Sequence, residues 1–280
     1  MAQAEQSKFK STVVDLSFAR APEPVVPAPE AAPRSAIVEV NGSVVRRGDE
    51  VQQGPLAVRT GSSHAMVAEA LTLDGEPDER LVLLNGAASG QARAYRLLRH
   101  RLRALGDPRV ITVTSAEAGA GKTTCAVNLA LALADETLAR VLLIEANVER
   151  PAFAGLFGFA PGDSFVNRLV QSRDATPPYP IAGLVGTRLH VAALSAAAPP
   201  GARLDRSLFD LVIADLRRGY HHVVIDAASV LESADANVCA ECADGTILVA
   251  RAGKSRKSAL QRAIKELSPS KVLGCVLLDA

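Results

Sequence analysis

The chain has 280 residues, 48% hydrophobic and 22% charged, which is enough apolar material for a sizeable core in one large domain or two small ones. Its formal net charge of +1 removes the bulk attraction of a polyanion reader and argues against nucleic acid as a partner. Neither a run of 18 apolar residues nor an apolar N-terminal h-region is present, so no spanning helix or signal peptide is indicated and a cytoplasmic location is expected.

In chain order, residues 8–18 (KFKSTVVDLSF) fit an unstructured end or a short docking peptide. Residues 21–36 (APEPVVPAPEAAPRSA) alternate Pro and Ala as semi-extended linkers do, and are expected to stay disordered. Residues 37–80 hold short apolar runs without a strong period, so 1–80 reads as a tail. From residue 81 the pattern becomes strand and helix in alternation. LVLL (81–84), RVITVTS (109–115), VLLIEA (141–146), LHVAAL (189–194), HVVIDA (222–227), GTILVA (245–250) and VLGCVLL (272–278) read as buried strands. Ala126, Leu129, Ala130, Leu133 and Ala134 repeat at helical spacing, as do Leu260, Ala263, Ile264 and Leu267. The expected fold class is α/β, a mostly parallel sheet with helices on both faces and ligands at the carboxyl ends of its strands.

The stretch AEAGAGKTT (116–124) lies between the second of these strands and a helix. It nearly matches G-x-x-x-x-G-K-[ST], with Ala116 in place of the first glycine, and predicts a P-loop NTPase. The backbone of Ala118, Gly119, Ala120, Gly121, Lys122, Thr123 and Thr124 would present N–H groups to phosphates at a helix N-terminus. Lys122 reaches β- and γ-phosphates, and the Thr123 hydroxyl is a ligand for Mg²⁺. A second metal-side carboxylate should end another apolar strand, and Asp226 in HHVVIDAAS fits; capping of the next helix is the competing reading.

The four cysteines are Cys125, Cys239, Cys242 and Cys275. Cys239 and Cys242 form a lone C-x-x-C without the second pair that a structural zinc site needs, and read as small packing residues on a helix.

The order LLNGAASGQARAYRLLRHRLR, SAEAGAGKTTCAVNLALALA, VLLIEANVERPAFAGLFGF and VVIDAASVLESADANVCAECADGTILVAR resembles the cytoplasmic domain of bacterial tyrosine kinases, part of the wider MinD- and ParA-like P-loop ATPase class. The resemblance covers about residues 81–280. It implies an ATP-binding domain there, ATP and Mg²⁺ as ligands, and Lys122, Glu145 and Asp226 as the catalytic set, with Thr123 and Asp226 on the metal. It also implies that VLLIEANVERP is a second Walker motif that ordinarily reads D-x-D. Glu145 adds a methylene there, and Asn147 cannot act as a base. A misplacement of about 1 Å can cost on the order of 10²-fold in rate.

Other departures follow. The family's E-x-x-R-x-x-R assembly helix is here Arg93, Arg96 and Arg99, so a homo-oligomer through Arg96 and Arg99 would lack its acidic partner. Leu278 stands where an adenine-reading Asn is common. The sequence shows no C-terminal tyrosine cluster, and its three tyrosines, Tyr95, Tyr179 and Tyr220, are isolated. Tyr95 and Tyr220 read as packing residues; Tyr179, in TPPYP, is the best single phosphoacceptor candidate.

The leading expectation is an ATP-binding homologue with reduced or absent tyrosine autokinase activity. It would regulate capsule or exopolysaccharide polymerisation or export through a membrane polysaccharide co-polymerase on a separate chain, which could recruit it to the inner face of the membrane. A MinD- or ParA-like positioning ATPase is the second reading, opposed by Glu117 at the place of that group's extra lysine and by the lack of a basic amphipathic C-terminal helix. A binding module that holds nucleotide only as a structural ligand is the third.

Overall fold

A computed structural model describes residues 67–73, 75–136, 139–162, 164–171, 173–267 and 271–279; residues 8–18, read as an unstructured end or a docking peptide, and the Pro/Ala-rich linker lie outside them. One eight-stranded sheet organises the chain, in the order β1-β4-β5-β3-β6-β2-β7-β8. Its central strands are β2 (Val110–Ser115), β3 (Val141–Glu145), β6 (His222–Asp226) and β7 (Gly245–Arg251), rich in β-branched residues and buried nearly throughout, as a sheet covered on both faces requires. β5 (Leu189–Ala192) and β8 (Val272–Leu278) flank them, and all six run parallel. The carboxyl ends of β3, β6, β2, β7 and β8 therefore line up along one edge.

The helices cover both faces. α1 (Val82–Asn85), α2 (Gly90–Ala104), α3 (Lys122–Ala134) and α4 (Phe153–Phe157) share a core with Ile111, Val113, Leu143 and Val224. On the other face α5 (Phe165–Gln171) and α6 (Arg206–Gly219) pack on Val110, Leu142, Ile144 and Ile225. α7 (Asp235–Cys242) and α8 (Lys257–Glu266) close over Leu248. α3 is buried along most of its length, which explains its Ala- and Leu-rich composition. Side-chain caps fix where two helices begin: Ser89 Oγ accepts the Ala92 N–H at 3.1 Å, and Asp205 Oδ1 accepts the Leu208 N–H at 3.0 Å.

The expected parallel α/β sheet is present, with two differences. LVLL (81–84) falls in the helical turn α1 rather than in a strand: the Asn85 N–H donates to the Leu81 carbonyl at 3.0 Å, and Leu81, Val82 and Leu83 point into the α2–α3 core. A four-residue apolar run has no period that distinguishes a buried strand from a buried helical turn. Conversely, β1 (Val67–Leu71) and β4 (Pro180–Leu184) add an unforeseen parallel edge pair, and β4 meets β5 antiparallel. β1 falls within the span read as a tail.

Among the described residues, no helix is long and apolar enough to cross a membrane.

Candidate nucleotide site

The phosphate loop leaves the end of β2 and turns into α3 through two glycines with left-handed backbones, Gly119 (φ 77°) and Gly121 (φ 92°). A Cβ at either would also collide, at 2.5 Å from Lys254 Nζ and 2.5 Å from Leu278 Cδ1 respectively. The positive φ favours glycine at both positions, and at Gly121 the packed Leu278 side chain adds a steric reason, whereas the Lys254 side chain could swing away from residue 119. Residues 118–124 form one continuous loop-to-helix run, the arrangement in which backbone N–H groups and the helix dipole favour an anion.

Asp226 sits at the end of β6, beside β2 and β3, with Cα partners Val113 and Glu145. The Thr123 hydroxyl donates to its Oδ2 at 2.7 Å. Asp226 is 1% exposed, and Oδ1 is buried without a hydrogen-bond partner. Burial pushes the carboxyl up to about 7, opposed by the Lys122 ammonium and the Thr123 hydroxyl and reinforced by Glu145. The orphaned Asp226 oxygen and the neighbouring Thr123 hydroxyl oxygen are hard oxygen donors of the kind that suit a cation such as Mg²⁺.

Glu145 ends β3, also buried, but its carboxylate is engaged elsewhere. Oε1 accepts the N–H groups of Ala152 and Phe153, the latter at 2.8 Å, and Oε2 accepts the Leu194 N–H at 2.9 Å. Burial raises its pKa, and these three backbone donors and Lys122 lower it. Expected on the metal side, Glu145 thus fastens the start of α4 and the end of β5. Asn147 closes the turn between β3 and α4: its Nδ2 donates to the Arg150 carbonyl and the Arg150 N–H donates to the Asn147 carbonyl, both at 3.1 Å.

Two neighbours were not anticipated from the sequence. Lys254, in the turn after β7, lays its ammonium against Gly119. Glu232, in the loop after β6, accepts the Ala118 N–H at 2.8 Å and lies 3.6 Å from Arg150. Both sit in irregular segments, where periodicity carries no signal.

Other expected positions fall away from this edge. Tyr179 is 4% exposed, its ring edge-on to Phe165 at 5.4 Å and its hydroxyl donating to the Ala175 carbonyl at 3.2 Å. Its reading as an open phosphoacceptor is corrected: the segment leads into β4 and turns the ring inward. Tyr95 and Tyr220 are buried, as expected, and Tyr220 Oη lies 2.7 Å from His190 Nδ1. Arg96 pairs with Asp135 at 2.9 Å, and Arg99 donates to the Ala132 carbonyl at 2.6 Å, so both are held against the end of α3. Cys239 and Cys242 are unpaired thiols on α7, and burial pushes Cys242 up to about 11. Among the described residues, no cluster of three or more His, Cys, Asp or Glu can hold a metal ion.

The family model of the CobQ/CobB/MinD/ParA nucleotide binding domain matches residues 111–279, more than half of the chain. The tyrosine-protein kinase CpsD of Streptococcus agalactiae serotype III (strain NEM316) is 29% identical over 177 residues, covering 61% of this chain and 74% of that protein. The tyrosine-protein kinase YwqD of Bacillus subtilis (strain 168) is 30% identical over 172 residues, covering 60% and 70%. The succinoglycan biosynthesis transport protein ExoP of Rhizobium meliloti (strain 1021) is 29% identical over 216 residues, covering 73% of this chain but only 27% of that protein. The kinase domain of Escherichia coli tyrosine kinase ETK shares the fold, with a TM-score of 0.63 and 20% identity over 73% of this chain and 80% of that one. With its loop, lysine and buried aspartate in place, the chain belongs to the CobQ/CobB/MinD/ParA nucleotide-binding domain family, on the branch related to bacterial tyrosine-protein kinases.

Proposed function

We propose that this chain binds MgATP as a relative of bacterial tyrosine kinases and has reduced or absent autokinase activity of its own. Through a membrane co-polymerase on a separate chain, which recruits it to the inner face of the membrane, it regulates the polymerisation or export of a capsule or exopolysaccharide. One observation carries the catalytic part of this reading. The binding half of the site is assembled around the Thr123–Asp226 hydrogen bond, whereas Glu145 has both carboxylate oxygens on backbone N–H groups. Thr123 and Asp226 would hold Mg²⁺, which when bound offsets phosphate charge. Lys122 orients the β- and γ-phosphates, and the N–H groups of residues 118–124 grip them. Three backbone donors occupy three of the about four acceptor sites of the Glu145 carboxylate, which weakens it as a base toward a tyrosine hydroxyl, and Asn147 has no basic group. The polysaccharide setting is supported by the names of relatives, tyrosine-protein kinase CpsD and the succinoglycan transport protein ExoP.

Purified protein incubated with labelled ATP and Mg²⁺ tests the reading. Binding that disappears in Lys122→Ala, without phosphotyrosine, is the expected result. Robust phosphotyrosine that vanishes in Lys122→Ala overturns the claim of a weakened kinase.

A further inference from the structure

The loop between β6 and α7 is stitched to the phosphate loop. The Thr114 hydroxyl donates to the Ala228 carbonyl at 2.6 Å. The Val230 N–H donates to the Ser115 carbonyl at 2.9 Å, and the Leu231 N–H to the Ala116 carbonyl at 3.2 Å. These bonds tie the loop after β6 to the loop after β2 and bring Glu232 alongside residue 118. There Oε1 accepts the Ala118 N–H at 2.8 Å, while Oε2 faces Arg150 Nη1 at 3.6 Å.

A carboxylate on an N–H of the phosphate loop is an anion bound where the loop is built to bind anions. Ala118 stands four residues ahead of Lys122, at the outer end of the loop and away from the helix. A polyphosphate seated with its inner groups at the helix N-terminus would bring its terminal group to this end. That group and the Glu232 carboxylate are both negative and compete for the same donor. Arg150, on the loop after β3, holds Glu232 from the other side, so displacing the carboxylate also unties the loops that follow β3 and β6.

We propose that Glu232 is a specificity-determining residue: it is an internal anion at Ala118 that the terminal phosphate of a nucleoside triphosphate must displace and that a diphosphate leaves in place. The proposal rests on the nucleotide reading above and adds to it a residue that sets the balance between tri- and diphosphate. Glu232→Gln keeps the side-chain shape and removes the competing charge.

The test is calorimetric titration of the full chain with MgATP and with MgADP, for wild type, Glu232→Gln and Lys122→Ala. Glu232→Gln is expected to tighten MgATP about fivefold and MgADP less than twofold, as for one partly exposed charged hydrogen bond. An equal change for both nucleotides, or none for either, overturns the role of Glu232 and leaves nucleotide binding standing. No binding by wild type, or binding unchanged in Lys122→Ala, overturns the nucleotide reading and the Glu232 proposal with it. Amide hydrogen exchange gives a readout free of nucleotide: Ala118 exchanges faster in Glu232→Ala, and an unchanged rate overturns the contact.

Discussion

Thr123 and Asp226, 103 residues apart in sequence, are joined by a 2.7 Å hydrogen bond from Oγ1 to Oδ2. The bond unites the first turn of α3 with the end of β6, so the two expected metal ligands meet on one buried edge. Asp226→Asn preserves the shape of that edge and removes its charge. Its MgATP affinity is expected to fall at least about tenfold, the scale on which altered metal environments act. Nucleotide affinity measured in EDTA changes much less. Calorimetry with and without Mg²⁺ checks this, and an equal loss under both conditions would assign Asp226 to folding alone.

His190, opposite Leu142 near the start of β3 and so away from the strand ends that carry the site, links pH to stability. Its Nδ1 lies 2.7 Å from Tyr220 Oη, and burial, with a smaller contribution from Arg140, lowers its pKa below the ordinary 6.5. The folded chain therefore binds this proton less readily than the unfolded chain does. The contribution is fully present above about pH 6.5 and is lost as pH falls through the lower folded value. Wild type should exceed His190→Gln in urea midpoint at pH 7.5, and the gap should narrow at pH 5.5. A constant gap would remove the titration from the account.

Arg96, Arg99 and Arg103 of α2 make ion pairs within the chain. α3 has no basic residue in its own last turn, and Arg99 supplies one from outside through the Ala132 carbonyl, with Nε 3.2 Å from Glu136. A cation at a helix C-terminus opposes the exposed carbonyl dipoles. Arg99→Ala is expected to cost about 1 kcal/mol, or about 2–4 °C in Tm. Sedimentation should show the oligomeric state unchanged; a shift in mass would place Arg99 in an assembly surface instead.

What the sequence made readable follows from how local each signal is. The phosphate loop and the central strands announce themselves because strand, glycines, lysine and helix are contiguous, and Asp226 because it ends an apolar run. The β1–β4 edge did not, since Ala70, Gly183 and the short span of each strand give weak alternation, and only their mutual pairing defines them. LVLL misled because its four apolar residues satisfy a strand or a helical turn equally. Glu145 was placed on the right strand end, but where its carboxylate goes depends on Ala152, Phe153 and Leu194, and the last of these is 49 residues away. Residue type therefore identifies the candidate wall of the site, while the fold decides which groups along it remain available.

That distinction can be tested on Glu145 itself. The first turn of α4 has no side-chain N-cap of its own, and the buried carboxylate supplies the missing acceptor. Glu145→Gln keeps the length but sets an NH₂ group against backbone donors, and is expected to lose about 2–3 kcal/mol of stability with MgATP affinity changed less than about threefold, since hydrogen bonds at this end do not touch the phosphate loop. Glu145→Asp combined with Asn147→Asp goes further: the shorter carboxylate cannot span all three donors, and the Asn147 bond to the Arg150 carbonyl is lost with its N–H. This double variant should be less stable by about 2–4 kcal/mol, yet raise ATP turnover at least about tenfold by returning acidic oxygens to the side of Lys122 and Asp226. Denaturant titration and a phosphate-release assay on the same preparations separate the two effects. Lower stability without any gain in turnover would overturn the proposal that this motif weakens phosphotransfer.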